Sequence, residues 1–230
     1  MSSLPSESWS VFSDFDGTIS QQDSLKLLFQ EALGSSWLSL EGQIESSEIS
    51  EREAVKEAVK RMYWTWPETQ SWLLENISID PGFASFYETL TSEGVSFVIL
   101  SGGFQNFIEA LFEREGLKIP SIRANRLEWQ GRKWKLLEVQ GPRLCDRFSH
   151  CKCVSLMQLK SGRSLYIGDG YTDFCPVEKM DFVLAKSKLK SYCEDQKIPY
   201  FGFSDFYDVE AVWDSLRTDT ELPAQGSQVG

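Results

Sequence analysis

Several kinds of segment are missing from this sequence. No apolar run approaches the ~20 residues of a bilayer span, so no membrane helix is expected. Residues 1–10 lack a basic stretch followed by an apolar one, so no leader peptide is expected. Positive charge is scarce as well: 23 Lys and Arg stand against 34 Asp and Glu, for a net charge of −11. A broad nucleic-acid surface needs clustered cations, and nucleic acid is therefore excluded as a partner. A small anionic ligand is not excluded, because one metal ion and one or two local cations invert the potential inside a pocket. Paired Cys-x-x-Cys spacing is also absent. The five cysteines (Cys145, Cys151, Cys153, Cys175 and Cys193) are odd in number and fit reduced thiols in a cytoplasmic protein. Cys145, His150, Cys151 and Cys153 lack the spacing of a zinc site, and a loop carrying free thiols is expected there. No internal repeat and no low-complexity segment is found.

What is present is an alternation of strand and helix patterns over 230 residues, enough to bury a core without disulfides or structural metals. Residues 9–14 read as a short buried strand. Residues 23–76 read as mostly helical, with Pro67 suited to a first helical turn. From Pro81 the order becomes a helix to Ser92, a strand over Val95–Leu100, a helix over Phe104–Glu115, and a short strand over Ser121–Ala124. A hairpin over Arg126–Val139 turns at Gln130-Gly131. A helix over Lys152–Leu159, a strand over Ser164–Ile167, a helix over Thr172–Lys179, a strand over Phe182–Leu184 and a closing helix over Asp205–Leu216 follow. Such alternation predicts a three-layer α/β/α core with a mainly parallel sheet. A small helical cap is inserted after the first strand. The expected units are 1–20 with 80–216 as a discontinuous core, 21–79 as the cap and 217–230 as a disordered tail.

Four groups fall where open α/β sheets place their ligands, beyond the carboxyl ends of the strands. Asp14-Phe-Asp16-Gly-Thr18 ends the first strand, Ser101-Gly102-Gly103 ends the second, Lys152 opens a helix, and Gly168-Asp169-Gly170-Tyr-Thr-Asp173 ends a later strand. Nearby carboxylates repel unless a divalent cation or a shared proton relieves them. A set of hard oxygens without histidine suits Mg²⁺. A carboxylate nucleophile must approach a phosphoryl group of its own sign, and such a cation neutralises the charge. Ser101 and the backbone N–H groups after it can donate to phosphoryl oxygens at a helix start, and Lys152 adds fixed positive charge. Lys160 competes with Lys152 for that place but reads as a solvated helix end.

In this order the four motifs resemble those of the haloacid-dehalogenase (HAD) superfamily, over the chain to about Leu216. The resemblance implies a Rossmann-like core and an enzyme that hydrolyses phosphomonoesters. It implies Asp14 as the nucleophile and Asp16 as the acid that protonates the leaving group, then activates water. Mg²⁺ is implied on Asp14, Asp16 (through its backbone carbonyl) and Asp169, with Asp173 in support. Ser101, Gly102 and Lys152 are implied to bind phosphate. The helical insertion between the first two motifs, Phe104 after Ser-Gly-Gly, and Ala124-Asn-Arg-Leu127 are similar to the phosphoserine phosphatase branch. Within it, the run Asp14 to Asp23, Arg61-Met62 ahead of Pro67, the cysteines before Lys152 and the Gly168–Asp173 motif look most like the methionine-salvage phosphatases. These act on 2-hydroxy-3-keto-5-methylthiopentenyl-1-phosphate, and they carry more cysteines before their lysine than this chain does.

A small phosphorylated metabolite is thus the expected partner, with phosphoserine as the rival substrate. Asp23 and Arg61 are candidate substrate contacts from the cap, set against ordinary surface charge. Trp64 and Trp66 are expected in the cap core. A phosphotransferase or mutase using the same intermediate, and a non-catalytic regulatory module, are the competing classes.

Overall fold

Alternating side chains give the central strand two buried faces. In the computed structural model, which describes residues 8–144 and 146–218, β1 (Trp9–Ser13) sends Val11 and Phe12 to opposite sides, and both are fully buried. Five helices follow before the next strand, the first four being α1 (Ser24–Leu33), α2 (Ser35–Glu45), α3 (Glu51–Arg61) and α4 (Trp66–Asn76). The excursion is pinned where it leaves and returns. Ser20 bridges Ile79, the Gln21 N–H donates to Ser78 O at 2.9 Å, and the Asp80 N–H donates to Ile19 O at 2.8 Å.

Local chemistry fixes the helix starts. Ser50 and Glu53 form a reciprocal capping box at α3, and Thr65 and Glu68 form one at α4, with Pro67 in its first turn. Ala54, Val55, Ala58 and Val59 make the buried stripe of α3.

The rest of the chain lays strands beside β1. After α5 (Phe83–Ser92) come β2 (Ser96–Phe104), α6 (Gln105–Arg114), β3 (Ser121–Trp129) and β4 (Trp134–Leu137). Then follow α7 (Lys152–Leu159), β5 (Arg163–Gly168), a 3-10 turn (Tyr171–Asp173), α8 (Phe174–Val177), β6 (Phe182–Ala185), α9 (Ser187–Gln196), β7 (Phe201–Gly202) and α10 (Phe206–Thr218). The sheet order is β4-β3-β2-β1-β5-β6-β7, parallel except for the β3–β4 hairpin. Chain order reverses at β1, the kind of switch point that opens a crevice at the strand ends. One face packs Val11, Ile99 and Ile167 against the aromatics of α5, α6 and α10; the other packs Phe12, Tyr166 and Val183 against Leu156, Val177 and Leu189. No described helix is long and apolar enough to cross a membrane.

Some boundaries move. β2 runs on through Ser101-Gly102-Gly103, and its pairing with β3 shifts register between Leu100 and Phe104. The helix expected over Thr172–Lys179 is a 3-10 turn and a four-residue α8, because Asp173 turns its carboxylate back onto the Asp169 and Gly170 amides. α9 and β7 were not expected: α9 buries only Leu189 and Cys193, and β7 has two residues. Arg217 and Thr218 continue α10 rather than starting a tail, with Arg217 paired to Glu93 at 2.9 Å and Asp214 at 2.8 Å. Residues 219–230 lie outside the described residues. Cys153 of α7 and Cys175 of α8 bring their sulfurs together as a pair, where separate free thiols were expected. Cys193 is a free buried thiol, and Cys145 lies outside the described residues.

Ion pairs tie α3 to the end of the hairpin. Arg52 meets Glu138 at 2.6 Å and Lys56 meets it at 2.9 Å, which holds Glu138 down from the usual glutamate range to about 2. A depressed folded value means stability that is present above the unfolded value of 4.5 and lost as pH falls toward 2. Glu138→Gln is expected to lose on the order of 1 kcal/mol at pH 7. In thermal melts its difference from wild type should shrink below about pH 4.5.

Candidate functional site

The three central strands, β2, β1 and β5, end together, so residues far apart in the chain share one crevice. Asp14 follows β1 directly, and its N–H donates to Ile167 O at 2.9 Å, which fixes the backbone against β5. Its Oδ1 accepts from the Phe15 N–H at 2.7 Å and pairs with Lys152 Nζ at 2.7 Å. No hydrogen bond among the described residues engages its Oδ2. Lys152, buried at the start of α7, also meets Asp173 Oδ1 at 2.7 Å. Burial works against the lysine's charge, but Asp14 and Asp173 more than offset it and hold its pKa above the ordinary lysine value. Burial first, and then the charge of Asp173, push Asp14 well above the carboxylate range, with Lys152 opposing.

Asp173 has every oxygen engaged. Oδ1 takes Lys152 and the Tyr166 hydroxyl, at 2.7 Å each, and Oδ2 takes the Asp169 and Gly170 amides, at 3.1 Å each. Asp169 is freer, accepting from Thr18 Oγ1 at 3.0 Å. Burial and then Asp173 raise its pKa to about 6. Oxygens of Asp14, Asp169 and Asp173 lie within 4.8 Å of one another, an all-carboxylate donor set suited to a hard divalent cation. Gly17 lets this happen: its φ is +74°, and a Cβ there would stand 2.8 Å from Asp169 Oδ2.

The Asp16 side chain lies outside that trio. Its Oδ1 accepts from the Ser24 N–H at 2.8 Å and the Ser24 hydroxyl at 2.5 Å, and its Oδ2 from the Ser101 hydroxyl at 3.3 Å. Burial, then the charge of Asp23, push Asp16 up to about 7. Ser101 Oγ accepts from the Gly103 N–H at 2.9 Å, and Gly102 O accepts from Ser149 Oγ at 2.6 Å. His150 fixes the same loop. Its Nδ1 lies 3.0 Å from Ser101 O and its Nε2 2.8 Å from Ser155 Oγ, while burial, then Lys152, lower its pKa to about 4. A neutral ring therefore donates from Nδ1 and accepts at Nε2.

Asp14, Asp16, Ser101, Gly102, Lys152, Asp169 and Asp173 thus converge, and Asp23 stands at the rim as the N-cap of α1, accepting from the Lys26 N–H at 2.8 Å. Arg61 does not join them. It lies at the far end of α3, exposed, bound to Glu57 at 3.0 Å and Ser36 at 2.7 Å. Lys160 lies outside as well, donating to Lys179 O at 2.7 Å. Sequence reasoning missed Thr18, Ser24, Ser149 and Tyr166, and weighed His150 only as a zinc ligand. Only Thr18, inside the first motif, carried a local signal.

Fold and site together define a doubly wound α/β enzyme whose chemistry rests on carboxylates and one buried lysine. The chain matches the haloacid dehalogenase-like hydrolase family over residues 11–175 and belongs to that family. It is 30% identical to Pdp3-interacting factor 1 of Schizosaccharomyces pombe, over 86% of this chain and 92% of that protein. It is 27% identical to the 2-hydroxy-3-keto-5-methylthiopentenyl-1-phosphate phosphatase of Brevibacillus brevis, over 91% of this chain and 96% of that protein. Phosphoserine phosphatase from T. onnurineus shares the fold, with a TM-score of 0.67 at 16% identity over 96% of this chain and 100% of that one.

Proposed function

We propose that this chain is a phosphoric monoester hydrolase that cleaves a small-molecule phosphomonoester through an aspartyl-phosphate on Asp14. The arrangement of Asp14 carries the reading: both of its contacts fall on Oδ1, so Oδ2 is left to face a substrate, with Asp16 held in a separate polar niche. Asp14 Oδ2 attacks phosphorus as the ester P–O bond breaks. Asp16, which keeps a proton near neutral pH, gives it to the departing alkoxide. As a carboxylate, Asp16 then takes a proton from the water that hydrolyses the acyl phosphate. Ser101, the Gly102 backbone and Lys152 receive the phosphoryl oxygens.

Asp14, the Asp16 backbone carbonyl and Asp169 would hold Mg²⁺, with the saturated Asp173 orienting Asp169 and Lys152. A cation bound there supplies the charge that lets a carboxylate approach a phosphoryl group. The helices of 21–79 serve as the cap over a core made of 1–20 and 80–216. The identity to curated methionine-salvage phosphatases over most of the chain favours 2-hydroxy-3-keto-5-methylthiopentenyl-1-phosphate over phosphoserine, whose enzymes are matched here at the level of fold. Purified protein with Mg²⁺ should release phosphate from that ester with a kcat/KM at least about tenfold above phosphoserine, a difference of ~1.4 kcal/mol in transition-state binding. Full activity in excess chelator would sink the mechanism, and a preference for phosphoserine would sink the substrate.

A further inference from the structure

Glu51 is the first residue of α3, and its helix needs nothing from it, since Ser50 and Glu53 already cap that end. Its carboxylate reaches inward beside Ser149, whose side chain and backbone favour the charged form against the burial that disfavours it. The same Ser149 hydroxyl holds Gly102 O at 2.6 Å, and Glu51 Oε1 lies 3.8 Å from where a Cβ on Gly102 would stand. The carboxylate thus lies beside the loop proposed to hold phosphate. Burial raises its pKa, and the charge of Asp23 adds to this.

The cations of the same helices are all engaged elsewhere. Residues 21–79 contain five basic residues, and each is ion-paired: Lys26 to Glu41, Arg52 to Glu138 and Asp146, Lys56 to Glu138, Lys60 and Arg61 to Glu57. What these helices present to a bound ester is therefore carboxylate, not guanidinium or ammonium.

We infer that Glu51 is a specificity-determining residue, accepting a hydrogen bond from a hydroxyl or ammonium on the carbon next to the phosphate-bearing carbon. It rests on the phosphatase reading above, and it narrows the substrate to donor-bearing esters while disfavouring those with a carboxylate at that position. A hydrogen bond to a charged group contributes about 1.5–3 kcal/mol, or roughly 10- to 150-fold. A carboxylate there would instead meet Glu51 and Asp23 with like charge.

The test is a matched series assayed with Mg²⁺: ethyl phosphate, 2-hydroxyethyl phosphate, ethanolamine phosphate and phosphoglycolate, with p-nitrophenyl phosphate as a general probe. Wild type should favour a donor-bearing ester over ethyl phosphate by at least about tenfold in kcat/KM, and phosphoglycolate should rank last. The better of the hydroxyl and ammonium esters identifies the donor. In Glu51→Ala that ratio should fall to within about threefold of unity, whatever happens to the absolute rates. Glu51→Gln, which keeps an acceptor without the charge, should retain more of the preference for the hydroxyl ester than for the ammonium ester. A wild type that does not discriminate, or a ratio that survives Glu51→Ala, overturns the inference and leaves the phosphatase reading intact. Failure to hydrolyse any ester in the series, p-nitrophenyl phosphate included, overturns the phosphatase reading and this inference with it.

Discussion

Asp14→Asn is expected to lower kcat/KM for phosphate release by at least about 10⁴-fold while raising the metal-free melting temperature, two changes that an ordinary structural aspartate would not combine. The loss of activity follows from the oxygen that disappears. The asparagine carbonyl can still accept from the Phe15 N–H, so the backbone at the end of β1 keeps its conformation, but an amide nitrogen now stands where Oδ2 faces the substrate. Loss of an attacking group removes the covalent route rather than weakening it. The gain in stability follows from charge. Asp14 binds its proton more tightly in the fold than in the unfolded chain, because it is buried beside Asp173 and Asp169. A raised folded value makes ionisation a cost to stability once pH passes the unfolded value of 3.8, and that cost is present in full above the folded value. The neutral amide removes it. Saturating Mg²⁺ should reverse the order, since a cation that binds the native state of wild type stabilises it in proportion to the logarithm of its concentration over Kd. Melting curves of both proteins, with and without Mg²⁺, check the stability claim separately from turnover. Activity above about 1% of wild type in Asp14→Asn would remove Asp14 as nucleophile.

How far the site could be read in advance depended on where its residues lie. Asp14, Asp16, Asp169 and Asp173 sit at the ends of buried strands, and strand ends are legible because a run of Val, Phe, Ile and Leu stops there. Lys152 was legible as the first residue of a helix. Ser24 and Ser149 were not, because serine is common in loops and its partner here, Asp16 or Gly102, is set by how the chain folds back. Tyr166 reads as one more aromatic in a core strand; only the register of β5 beside β1 shows that its hydroxyl meets Asp173. Arg61-Met62 ahead of Pro67 belongs to the family resemblance, and a guanidinium in the cap suits a carboxylate or keto oxygen of a substrate. Its direction was not in the sequence: α3 puts Glu51 in the crevice, and ten residues on, about 15 Å along the axis, Arg61 is outside it. The hairpin at Gln130-Gly131 was legible from its turn chemistry, while α9 was not, since two buried side chains make no periodic stripe. The pairing of Cys153 with Cys175 depended on α7 packing against α8, which no spacing rule anticipates.

Lys152→Met should be the most destabilising single substitution in the crevice, and its cost should be partly cancelled by Asp14→Asn. Lys152 is 1% exposed and joins Asp14 and Asp173 at 2.7 Å each. Removing one partner of a buried ion pair strands the other charge, at a cost of about 3–5 kcal/mol, and here two carboxylates are stranded together. At roughly 2–4 °C per kcal/mol for a domain of this size, the melting temperature should drop by about 6–20 °C. In the double variant Lys152→Met/Asp14→Asn only Asp173 remains charged against the methionine, and Tyr166 with the Asp169 and Gly170 amides still donates to it. The double variant should therefore melt above the Lys152→Met single, with a coupling energy on the order of 1–3 kcal/mol. Both should be inactive, so turnover cannot tell a lysine that only grips phosphate from one that also makes the carboxylate cluster tolerable in the resting enzyme. Stability can. A phosphate-gripping lysine costs nothing to remove when no phosphate is bound, and a Lys152→Met protein melting within about 2 °C of wild type would show that the ammonium does not neutralise Asp14 and Asp173 before substrate arrives.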